Sequence, residues 1–92
     1  MYEAILDYSK KDVTIEYEKD NKIKLSELIK KNLIIEVTIT YKNDTNVYEY
    51  NDIIDNQIIN DIKFKFRNMN EVIPYLKQQT NNFIPVTMKK IL

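Results

Sequence analysis

Two charged segments contain the residues whose types and spacing could do chemistry. Residues 43–62 contain no Lys or Arg, yet they hold Asp44, Glu49, Asp52, Asp55 and Asp61, a local charge of −5. Tyr48 and Tyr50 lie inside this acidic run. Carboxylates projecting at phosphate-like spacing can dock on a basic surface, such as the positively charged groove of a nucleic-acid-processing enzyme. Tyrosines beside them would add rigid, amphipathic contact area. The same residues also suit a solvated loop with helix caps made from Asp and Asn.

The second segment follows at once. Lys63, Lys65 and Arg67 alternate with Ile62, Phe64 and Phe66. On a strand, alternate residues stand about 6.5–7 Å apart on one face. That spacing is comparable to successive phosphates, so this face is the candidate nucleic-acid contact. A formal net charge of zero argues against a dedicated nucleic-acid binder. Cross-strand pairing with Glu16, Glu18 or Glu36 would explain the same residues structurally. Asp52 and Asp55 would share one helix face at i, i+3. Two carboxylates make a weak Mg²⁺ site and no third ligand is identifiable, so no metal and no cofactor is assigned.

The rest of the chemical repertoire is narrow. The chain has no His, Cys, Gly or Trp. Absence of Cys removes disulfides, thiolate metal sites and thiol nucleophiles. Absence of His removes the commonest general base and rules out Ser-His-Asp chemistry within the chain. Absence of Gly rules out the Walker loop, the dinucleotide fingerprint and the usual EF-hand loop. The chain is therefore expected not to be an enzyme.

The elements that must position these residues follow from periodicity. Tyr2, Ala4, Leu6 and Tyr8 alternate as a strand, and Val13, Ile15 and Tyr17 as a second, the two forming a hairpin. A turn over residues 18–22 follows, with Asn21 in the left-handed conformation. Leu25, Leu28 and Ile29 have helical spacing, which predicts a short helix over 25–31 capped by Ser26 and closed by a left-handed Asn32. Leu33, Ile35, Val37, Ile39 and Tyr41 form one face of the clearest strand, with Glu36, Thr38, Thr40 and Lys42 on the other. A turn at 43–46 leads to a partner strand over 47–50. Residues 51–60 suit either helix or loop.

The basic strand over 62–67 comes next. Asn70 then caps a helix bearing Val72, Ile73 and Leu76, which must begin close to Pro74. Pro85 confines the last segment to an edge strand or an extended tail. Tyr2, Tyr8, Tyr17 and Tyr41 are expected in the core. Strand hairpins with two short helices predict an α+β fold with a mainly antiparallel sheet, built as one domain over residues 1–92.

No basic-then-apolar leader opens the sequence, and no more than three aliphatic residues run together. A soluble, cytoplasmic protein with no membrane association is expected. The leading functional expectation is a non-catalytic protein-binding module that works by stoichiometric occupancy. Its partner would be a protein with a basic surface, such as a nucleic-acid-processing enzyme. Size and composition fit the general profile of phage or mobile-element inhibitors of host nucleic-acid-targeting defence enzymes. The alternatives are an RNA or single-stranded DNA binder using Lys63, Lys65 and Arg67, and a structural homo-oligomer.

Overall fold

The computed structural model describes all 92 residues, Met1–Leu92. The strands are β1 (Tyr2–Asp7), β2 (Ile34–Tyr41), β3 (Val47–Glu49), β4 (Ile59–Phe66) and β5 (Val86–Lys90). The helices are α1 (Ile15–Lys19), α2 (Leu25–Lys30) and α3 (Met69–Asn81), with a 3-10 turn at Tyr50–Asp52. The strands form one sheet in the order β3-β2-β4-β1-β5. Every neighbouring pair is antiparallel, so the protein is a small α+β fold, as the sequence predicts.

One face of the sheet carries the core. Ala4 and Leu6 of β1, Val37 and Ile39 of β2, and Ile62, Phe64 and Phe66 of β4 are buried there. Tyr75 of α3 meets Phe64 edge-on at 6.0 Å between ring centroids. Burial of each large apolar side chain is worth about 1.5–3 kcal/mol, so this face dominates the stability. The opposite face has no helix over it.

The region after β1 differs from expectation. Residues 13–17 do not form a strand or a hairpin with β1. Val13 and Thr14 touch the start of β4, through Val13 O accepting from Ile59 N and a Thr14–Ile58 bridge. The chain then winds into α1. Ile15 and Glu18 are buried at i, i+3, while Tyr17 is 48% exposed rather than in the core. Glu18 is thus a buried helical residue and not part of a charged turn. Asn21 is buried and is not among the left-handed residues.

Asparagine does the work of glycine at three other places. Asn32, Asn43 and Asn56 have φ of 58°, 62° and 64°. Asn32 closes α2: its N–H donates to Ile29 O, and Leu33 N–H donates to Leu28 O. That double bond pattern satisfies two of the carbonyls left free at a helix end. At the other end Lys24, not Ser26, precedes the helix, and no side chain caps it.

A bulge shifts the face of β2. Ile34 pairs with Phe66 and Glu36 with Lys65, so Ile35 is an extra residue. Ile34 is therefore buried and Ile35 is 47% exposed, the reverse of strict alternation from Leu33. Residues 51–60 divide between the 3-10 turn, a loop and the first residues of β4. Asn68, rather than Asn70, caps α3 by accepting from Asn70 N–H at 3.0 Å. Pro74 stands inside α3 instead of at its start. Its missing N–H would have bonded the carbonyl of Asn70; both residues are exposed, so water can take that carbonyl.

Candidate binding edge and a buried carboxylate

The acidic residues do not converge on one patch. Glu49 lies on β3, the edge strand, and Asp52 in the 3-10 turn that follows; both are exposed. Asp44 sits in the β2–β3 turn, accepting from Asn46 N–H at 2.9 Å and from the Tyr48 hydroxyl at 2.8 Å. Those hydrogen bonds, first the one from the Asn46 backbone, hold its carboxyl below the usual range. Asp55 is exposed but lies 3.8 Å from Lys19 Nζ. Asp61 leaves the group: it is in β4 and accepts from Thr40 Oγ1 at 2.8 Å. Asp44, Glu49 and Asp52 take part in none of the five ion pairs of the protein.

The two tyrosines serve this edge structurally. Tyr48 packs on Tyr41 with ring centroids 5.5 Å apart, and both it and Tyr50 pack against the core. They fasten the acidic edge to the sheet while Val47, 65% exposed, and Glu49 point away. Asp52 and Asp55 do not share a helix face, because the 3-10 turn ends at Asp52 and Ile53 is extended. No group of three or more carboxylates or other metal-ligating residues exists.

The basic strand is embedded in a charged sheet face. Strand register aligns Glu36, Lys65, Glu3 and Lys89 in a row across β2, β4, β1 and β5, with alternating sign. Lys65 Nζ lies 3.3 Å from Glu36 Oε2. Glu3 stands between Lys89 at 3.4 Å and Lys63 at 3.6 Å, with its carboxylate nearly covered. Its Oε1 has the ion pair but no directed hydrogen bond. The expected partners Glu16 and Glu18 lie elsewhere; Glu3 and Glu36 fill the role. Lys63 and Lys65 are thus countered within the sheet, and Arg67 alone of the three has no ion pair.

A further site was not legible as such. The Glu18 carboxylate is fully buried and receives four donors. The Tyr75 hydroxyl and Gln79 Nε2 donate to Oε1, the latter at 3.3 Å. The Tyr8 hydroxyl and Asn21 Nδ2 donate to Oε2, at 2.5 and 3.2 Å. Burial pushes the carboxyl up to about 6, against the lowering effect of the hydrogen bonds from Tyr75, Tyr8 and Asn21. Burial and the nearby Glu18 charge hold the Tyr75 and Tyr8 hydroxyls above the usual phenol range. The network joins the end of β1, α1 and α3. The only signal in the sequence is that Glu18 falls three residues after Ile15, on its helical face.

No protein-family model, no curated protein and no solved structure matches the chain.

Proposed function

We propose that the protein is a non-catalytic binding module that acts by occupying a basic surface of a partner protein. The partner class is a nucleic-acid-processing enzyme whose phosphate-binding groove accepts carboxylates, as an inhibitor from a phage or mobile element would require. Asp44, Glu49 and Asp52 supply the contact, with Asp55 at its margin. The observation that carries this reading is that Asp44, Glu49 and Asp52 lack any cationic partner, on an edge that Tyr48 and Tyr50 anchor to the core. Binding residues concentrate on loops held by such a scaffold. A non-catalytic role is supported by Glu18, the one carboxyl tuned towards neutrality, being enclosed by its four donors.

Direct nucleic-acid binding has less support, because Glu3 and Glu36 counter Lys63 and Lys65. The experiment is affinity capture with the intact chain as bait, with and without nuclease. Recovery of one protein that survives nuclease treatment and is released by salt is the expected result. Recovery that disappears with nuclease would overturn the occupancy reading in favour of nucleic acid.

A further inference from the structure

We propose that the outer edge of β5, with the groove between β5 and α3, binds an extended acidic segment of a partner protein as a sixth strand. The site is separate from the acidic edge at β3.

β5 is the other edge of the sheet, hydrogen-bonded on one side only, to β1. Its outer N–H and C=O groups can pair with an added strand. Beside it, α3 packs by Tyr75 against Phe64 in the middle of the sheet, and all of β5 after the half-buried Val86 is exposed. A groove of about 470 Å³ remains between them, lined on its apolar side by Ile73, Leu76, Val86 and Met88. Met88 is 43% exposed although its register partner, Ala4, is in the core. An extended chain presents every second side chain to one face, so alternate apolar residues of the added strand would fill this groove.

Charge selects the occupant. Lys77 lines the groove, and Lys90 shares its face of β5 with Val86 and Met88. Both lysines are exposed and neither has an ion pair. No Asp or Glu lines the groove. An acidic strand complements it, whereas β5 of a second copy brings two lysines and no carboxylate to meet Lys77 and Lys90.

The turn joining the two walls gives a second indication. Phe83 ends α3 with φ of 63°, the position that Asn fills after α2. It is 81% exposed, with Lys11 Nζ 5.4 Å from its ring centroid. A left-handed conformation costs a bulky residue more than it costs Asn. An exposed ring held at that cost, in the turn that joins α3 to β5, fits a contact made on binding.

The test uses a display library of random peptides of about nine residues, long enough to span the strand. Expected is recovery of peptides in which one strand face carries aliphatic residues together with Asp or Glu, the acids facing Lys77 and Lys90. Their NMR shift changes should fall on residues 86–90 and on the facing side of α3. Met88→Glu and, separately, Lys90→Glu should each weaken binding about tenfold or more while the Tm holds. Using both guards against a fold defect in either. Glu49→Gln with Asp52→Asn should leave this binding unchanged. Failure to recover any such peptide would overturn the proposal, as would shift changes centred on β3 or a concentration-dependent dimer that buries β5. None of these three results bears on the occupancy reading, which capture of the partner tests.

Discussion

The Tyr8 hydroxyl lies 2.5 Å from Glu18 Oε2 and 3.1 Å from Gln79 Oε1, so one proton faces two acceptors. With Glu18 ionised, Tyr8 donates to the carboxylate and Gln79 Oε1 is left without that donor. With a proton on Oε2, Glu18 donates to the Tyr8 oxygen and Tyr8 donates to Gln79. Every short contact in the cluster is then a hydrogen bond. Burial favours this neutral Glu18 and outweighs the hydrogen bonds donated by Tyr75, Tyr8 and Asn21, which favour the ionised form.

A pH dependence of unusual sign follows. The folded carboxyl titrates at about 6, against an ordinary value of 4.5. The folded state binds this proton more tightly than the unfolded chain does. The contribution to stability is full below about 4.5 and is lost as pH rises through about 6. The difference is on the order of 2 kcal/mol. Urea unfolding at about pH 5 and about pH 7 should show roughly 1 kcal/mol of this stabilisation on acidification, and Glu18→Gln should abolish it. An unchanged pH dependence in that variant would place the titration elsewhere. Glu18→Ala should cost more than Glu18→Gln at both pH values, because it leaves buried hydroxyl and amide donors without an acceptor.

Phe64 is expected to be among the most sensitive core positions. It is 1% exposed and packs on Phe66 at 5.7 Å and Tyr75 at 6.0 Å between centroids. Phe64→Ala should cost about 3–5 kcal/mol, from lost transfer energy and the cavity left behind. A loss below about 1 kcal/mol in denaturant unfolding would mean that the ring faces solvent.

Much of this core could be read from alternation. Ile62, Phe64 and Phe66 announce β4, and Leu25, Leu28 and Asn32 announce α2 with its left-handed stop. Where the sequence misleads, a long-range interaction decides. The period-two spacing of Val13, Ile15 and Tyr17 suggests a strand. The helix instead brings Glu18 to Tyr75, 57 residues away, and periodicity carries no trace of such a polar contact. Ile35 changes face because one bulge opposes it and Glu36 to Lys65. The candidate site was partly legible. The dispersal of the acidic run was implicit in Asp61, which shares parity with Lys63 and so belongs to the open face of β4. Glu36, one of the countercharges the sequence offers, does pair with Lys65, whereas Glu3 could not be assigned to Lys63 before β1 was known to lie beside β4.

Phe83→Asn should stabilise the protein. Asn occupies the three other left-handed non-glycine positions. Replacing an exposed left-handed Phe should recover up to about 1 kcal/mol, less the attraction between Lys11 and the ring. Thermal unfolding measures it. A drop in Tm would show that Phe83 contributes more to the fold than its exposure implies.

The most direct measurement compares two triple variants against the captured partner. Glu49→Gln, Asp52→Asn and Asp55→Asn together should weaken capture strongly while the Tm stays nearly unchanged, since all three residues are exposed. The loss should appear in the association rate and shrink at high salt, because charge complementarity steers encounter and salt screens it. Lys63→Gln, Lys65→Gln and Arg67→Gln together should affect capture less. If the basic triple abolishes binding and the acidic triple leaves it intact, the acidic edge is not the contact surface.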